Sequence, residues 1–173
     1  MKRSFAVAVL STGLLTVGCS DAVSPAGPSS VHSGSPAAGA AASLPFKGNL
    51  EGTQTITLQP PLAFVNGSAT GTASLLGRFT VSFPHTVNFA LATGEGTYTF
   101  TAANGDLLIA RFVGQAQQGP IVSIVEQATI TGGTGRFSGA TGSFTAHRQF
   151  DPASGTTTGS FEGTITFSGS GKP

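Results

Sequence analysis

Between Arg78 and Leu91 the chain alternates without a slip. Phe79, Val81, Phe83, His85, Val87, Phe89 and Leu91 hold the odd positions, with Thr80, Ser82, Thr86, Asn88 and Ala90 between them. A period of two gathers the large side chains on one face of an extended chain and scatters them around a helix, so the segment reads as a strand with one buried face. Pro84 interrupts it and, having no N–H to donate, marks an edge, a bulge or a bend.

The same pattern recurs. Phe161, Gly163, Ile165 and Phe167 alternate with Glu162, Thr164 and Thr166. Val122, Ile124, Glu126, Ala128 and Ile130 share one parity, and Leu108, Ala110 and Phe112 another, with Ile109, Arg111 and Val113 on the opposite face. Turn chemistry separates the runs: Asn104-Gly105-Asp106 is a short hairpin signal, Gln118-Gly119-Pro120 and Thr131–Gly135 are breaks, and Asp151–Gly155 closes another hairpin. These signals predict about eight strands, near 46–57, 69–75, 77–90, 96–103, 106–116, 121–131, 141–149 and 158–168. No intervening stretch has a useful helical period. The fold class expected is all-β, a single antiparallel up-and-down barrel, with a sandwich as the other arrangement of such hairpins. Closing the sheet removes exposed edges, a liability in a chain this rich in Thr, Val and Phe.

The N-terminus has a different character. Lys2 and Arg3 precede the apolar run Phe5–Leu10, and small residues lead to Cys19, the single cysteine. That is the layout of a secretory signal. Leu15-Thr16-Val17-Gly18-Cys19 resembles the lipobox of bacterial lipoproteins, although Thr16 stands where the pattern has Leu. The resemblance implies cleavage after residue 18 and lipidation of Cys19, hence a partner in the lipid bilayer. Ser20, rather than Asp, follows the cysteine, which by the sorting logic of enterobacterial lipoproteins implies the outer membrane. An ordinary secretory signal cut near Ala22 is the alternative. An uncleaved span is disfavoured, because Ser11, Thr12 and Gly13 interrupt the run before it could cross about 30 Å of hydrocarbon. Residues 19–44 are mostly Ser, Ala, Gly, Pro and Val, too poor in apolar bulk for a core, and read as a disordered tether reaching on the order of 25–30 Å. The expected organisation is therefore a signal at 1–18, a tether at 19–44 and one domain at 45–171.

Charge and composition exclude several classes. Of the 8 Lys and Arg, two lie in the signal, and the remainder nearly balance the 7 Asp and Glu. No basic stripe is present to displace phosphate counterions, so nucleic acid is not an expected partner. With Cys19 lipidated no disulfide remains, and stability rests on a hydrophobic core. The aromatic set, 13 Phe with one Tyr and no Trp, lacks the polar-tipped rings that sugar surfaces favour.

The stretch Ile130-Thr131-Gly132-Gly133-Thr134-Gly135-Arg136-Phe137-Ser138-Gly139-Ala140-Thr141-Gly142-Ser143-Phe144, with Gly77-Arg78-Phe79-Thr80 and Ala103–Leu107, resembles the allene-oxide-cyclase-like and dirigent-like barrels. The resemblance implies an eight-stranded calycin-type barrel with a central cavity, over most of 46–168. It assigns no catalytic residue. The residues themselves fit a rim, since consecutive glycines allow a sharp turn and Phe137 can plug the barrel end.

Among polar groups the candidates are Glu126, His85 and Arg111. Glu126 is the one acid on an otherwise apolar face, where it can act as a general acid or base with Arg111, on the preceding strand, as partner. Two other readings stand beside it: a buried structural ion pair, or an inward face made instead by Ser123, Val125, Gln127 and Thr129. His85 shares parity with Phe83 and Val87 and points into the lumen as acid, base or polar anchor, unless Pro84 shifts the register and leaves it at the rim in water. The latter is the reading favoured by sequence. His32, His85 and His147 are dispersed and give no metal-ligand spacing. The glycine run lacks the Gly-Lys-Ser/Thr ending of a phosphate loop, and no serine sits in a nucleophile elbow. No cofactor or metal is expected.

The expected function is non-catalytic: a lipid-anchored envelope protein whose barrel binds a small apolar ligand or presents a rigid surface. One alternative is a cyclase or isomerase that folds an apolar substrate in the lumen, with Glu126, His85 or Arg111 as the polar participant. Another is a structural or adhesive surface protein with a filled core.

Overall fold

A computed structural model describes residues 42–168. The proposed signal, Cys19 and nearly all of the proposed tether lie outside the described residues. Within them the chain forms nine strands: β1 (Ser43–Gln59), β2 (Leu62–Ala73), β3 (Gly77–Ser82), β4 (His85–Asn88), β5 (Thr93–Thr101), β6 (Leu107–Gln117), β7 (Val122–Gly133), β8 (Thr141–Asp151) and β9 (Thr156–Thr166). A single 3-10 turn, Gly135–Phe137, joins β7 to β8.

Every pairing is antiparallel, and β9 returns to pair with β1, from Ser43 opposite Thr166 to Thr53 opposite Thr156. The sheet is thus a closed barrel. β3 and β4 are two halves of one stave: both lie between β2 and β5, and the pairings Ser68–Ser82 and Val65–His85 belong to one uninterrupted register. Pro84 breaks the ladder without shifting it. Eight staves therefore close the wall, the number that the hairpin signals predict.

The register fixes the stagger. A line of directly paired residues starting at Leu58 runs through Ala63, Val87, Gly94, Gly114, Glu126, Ala146 and Phe161, and re-enters β1 at Gly48, ten residues below its start. The next inward line joins Ile56, Val65, His85, Gly96, Phe112, Ala128, Phe144, Gly163 and Phe46, with the same offset. Strands so staggered must tilt against the axis, and tilt and strand number together set the bore.

That bore is filled through most of its length. Phe46, Phe79, Phe100, Phe144 and Phe161 are all buried, with centroid separations from 5.1 to 6.2 Å. Large inward side chains find room because the neighbouring stave carries glycine. A Cβ at Gly67 would stand 1.9 Å from the Phe83 ring, and one at Gly48 would stand 2.8 Å from Phe161. One end is sealed by Phe137, which is fully buried beneath the Arg136 guanidinium and packs on Phe167. The glycine run makes this plug. Thr131 is the extra residue of a bulge opposite Ile109 and Ala110, Gly135 turns with φ +54°, and a Cβ there would collide with the Asp106 carboxylate.

At the opposite end the wall outruns its filling. Ile56 and Leu58 stand on the inward lines, yet are 42% and 63% exposed. Around them lie the β1–β2 tip, the Phe89–Ala92 loop and the β6–β7 loop; the Phe89 amide donates to the Pro61 carbonyl and the Ala116 amide to that of Ala92. The strand alternation does not continue to Leu91: β4 ends at Asn88, and Phe89 and Leu91 are exposed on the loop. β2 begins at Leu62 rather than near 69, and β1 runs from Ser43 to Gln59, beyond 46–57 at both ends.

Candidate functional site

A polar cluster sits inside the barrel beneath the uncovered end. Glu126 on β7 and Arg148 on β8 are each 2% exposed. The guanidinium grips the carboxylate with two bonds, Nη2 to Oε1 at 2.6 Å and Nε to Oε2 at 2.9 Å. Tyr98 of β5, two staves away, donates its hydroxyl to Oε2. Nη1 of Arg148 donates to Gln54 Oε1 and to Thr157 Oγ1, both at 3.2 Å, and Thr157 passes its own proton to the Gln149 carbonyl. The guanidinium also lies over Phe83, 4.9 Å from the ring centroid.

Local sequence explains how such bulk fits. Glu126 faces Gly114, where a Cβ would approach its Cγ to 2.6 Å, and Arg148 faces Gly159, where a Cβ would come within 2.9 Å of its Cγ. Burial pulls the Arg148 guanidinium down, but the hydrogen bonds and charge of Glu126 outweigh it and hold the cation firmly protonated. The Tyr98 hydroxyl is pushed well above its ordinary range, first by burial and then by the adjacent carboxylate. The cluster is thus a buried ion pair whose acceptor oxygens are both engaged.

Arg111 is not part of it. It points outward and is exposed on β6, opposite Thr97 and Thr129. Glu126 lies on the inner face as its parity predicts, but its partner is Arg148, on the following strand. Arg148 shares parity with the buried Phe144, Ala146 and Phe150, and Tyr98 shares parity with Phe100. A single cation in that apolar column was a legible signal that the sequence reading did not use. Gln54 and Thr157 carried none, since Gln54 lies among polar neighbours and Thr157 in a run of three threonines.

His85 is on the inner face, because Pro84 leaves the register intact. Its ring stacks on Phe83 at 6.1 Å and meets Phe112 edge-on at 5.7 Å. Nδ1 lies 2.9 Å from the Phe83 carbonyl, which only accepts, so Nδ1 carries the proton. Burial lowers the ring's affinity for a second proton, against the pull of that carbonyl, and Arg148 lowers it further. The expectation of a rim histidine in a shifted register is thereby corrected: His85 is a neutral, half-buried lumen residue.

Among the described residues no group of three His, Cys, Asp or Glu side chains gathers at metal-binding distance. Surface depressions are lined largely by outward residues, Thr70, Arg78 and Thr101 in one and Thr86, Glu95, Val113 and Gln127 in another, and none of these reaches Glu126 or Arg148. No described helix is long and apolar enough to cross a membrane. No family model matches the chain, and neither does any curated protein or solved structure.

Proposed function

We propose that this is a lipid-anchored envelope protein, held by Cys19 in the outer membrane, whose allene-oxide-cyclase-like or dirigent-like barrel is a non-catalytic module that takes a small apolar ligand at its uncovered end. The observation that carries the binding reading is the exposure of Ile56 and Leu58, two large apolar side chains that face the barrel axis. Water there meets the same inner face that phenylalanines cover farther down. Val87, Ala116 and Ile124 continue this apolar surface around the mouth. A site so lined favours an apolar occupant.

Against the cyclase or isomerase reading, Glu126 spends both oxygens on Arg148 and Tyr98, leaving no idle base above a substrate. Against a purely structural module, a filled core does not require inward apolar residues in water. The test is titration of the mature chain with an apolar fluorescent probe such as N-phenyl-1-naphthylamine. Saturable binding that Leu58→Asp weakens at least tenfold, and that Val113→Asp on the outer face leaves alone, supports the reading. Absence of saturable binding overturns it.

A further inference from the structure

Above the ion pair, one polar group on the inner wall stands uncommitted. The Nδ1 proton of His85 is bound to the Phe83 carbonyl, so Nε2 presents a bare lone pair, and it makes no hydrogen bond among the described residues. His85 is only partly buried, on the inner wall near the uncovered end. Phe83 and Phe112 fix the plane of the ring.

The ring also has a direction. Its Cβ lies over Gly96, where an added Cβ would come within 2.4 Å, while its Cδ2 edge turns toward Gly94, one line nearer the mouth. At Gly94 an added Cβ would meet nothing closer than 3.5 Å, its neighbours being the Thr86 carbonyl, Val87 Cγ2 and His85 Cδ2. Nε2 adjoins Cδ2 in the ring. The acceptor thus lies on the mouth side of the ring, beside the line of inward residues that starts at the exposed Leu58.

We propose that His85 is the polar anchor of the mouth, its Nε2 accepting a hydrogen bond from the hydroxyl of a long-chain alcohol whose tail lies against Ile56 and Leu58. This rests on the mouth being a ligand site and adds the chemical class of the ligand. A neutral imidazole with Nδ1 protonated selects a donor. A carboxylate offers only acceptors, so an ionised fatty acid would set lone pair against lone pair, and an ether has no proton to give. One neutral hydrogen bond in a partly desolvated site is worth about fivefold in affinity.

The experiment compares 1-decanol, methyl decyl ether and decanoate by calorimetric titration into the mature chain at neutral pH. The expected result is decanol binding about fivefold tighter than the ether, with decanoate weaker than decanol. In His85→Phe, which keeps an aromatic ring between Phe83 and Phe112, decanol and ether should bind alike, at the wild-type affinity for the ether. Nitrogen-15 NMR of the histidine rings supplies a second readout that does not depend on a variant: decanol should move the His85 Nε2 resonance toward the hydrogen-bonded position, and the ether should not. Equal binding of decanol and ether by the wild-type chain, or an unmoved Nε2 resonance at saturating decanol, overturns the anchor while leaving the apolar mouth in place. If no ligand of the three binds, the mouth itself falls, and the anchor with it.

Discussion

Arg148 stands opposite Ile124 in the β7–β8 ladder, and its guanidinium reaches diagonally to Glu126, one step along the same face. Two carriers of charge on adjacent staves are thus locked at a fixed offset of two residues. A slip of one residue between the two strands would turn one of them to the outer wall and part the pair, because side chains alternate faces. The pair therefore specifies register in the part of the barrel nearer its uncovered end.

Removing one partner should be costly. Glu126→Gln leaves the guanidinium buried without its counter-charge, and unfolding in urea should show a loss of about 3–5 kcal/mol. Replacing both, as Glu126→Leu with Arg148→Met, should cost far less than the sum of the single changes. A double-variant loss equal to the sum of the two single losses would show that the pairing carries no coupling energy.

The single tyrosine allows the cluster to be titrated directly. Burial and Glu126 raise the Tyr98 hydroxyl in the fold, whereas the unfolded chain ionises near pH 10. The native form keeps its proton as pH climbs through that value, so stability is complete below about pH 10 and is lost above it. Phenolate absorbance should appear only together with the loss of β circular dichroism. A phenolate forming in the intact barrel near pH 10 would contradict the buried hydrogen bond.

His85 governs the acid side by the opposite logic. Its folded affinity for protons is lowered, so the unfolded chain binds the proton first, near pH 6.5. Stability from this group is present above that pH and declines as pH falls toward the folded ring's own lower value. His85→Phe should flatten the decline below about pH 6.5 in a series of urea midpoints. An unchanged slope would place the ring in water.

Two glycines on one inward line should respond differently to the same methyl group. Gly114→Ala drives a Cβ to 2.6 Å from Glu126 Cγ and should cost about 1–3 kcal/mol. Gly94→Ala meets its neighbours only at ordinary contact distance, 3.5 Å or more, and should lie within about 1 kcal/mol of wild type, with the lost freedom of the unfolded chain in its favour. Thermal melts of the two variants side by side decide the matter.

Sequence patterning carried the fold where the inward residues are large. Phe79, Val81 and Phe83 announce their strand, as do Phe161 and Ile165. It failed at the start of β2, where the inward positions after Ala63 and Val65 are Gly67, Ala69 and Gly71. They are small because Phe83 and Phe79 of the next stave occupy the space above them, so apolar contrast along the strand is faint. It overran at Phe89 and Leu91, whose parity is right but whose backbone has left the ladder. For the cluster, Glu126 was legible from its apolar column. Its partner was sought on the preceding strand, since sequence proximity does not say on which side of a strand the matching charge stands.

The seam between β1 and β9 joins Ser43 to Thr166, nearly the two limits of the described chain. Every other seam is made between strands that follow closely in sequence, but this one waits for the last strand to arrive. Until then the sheet is an open ribbon with two bare edges and an uncovered face of phenylalanine. The last ladder is the longest loop to close, and such contacts dominate the search time of a folding chain. A chain cut before Thr156 loses one strand of eight, and with it the property of having no edge to offer a neighbour.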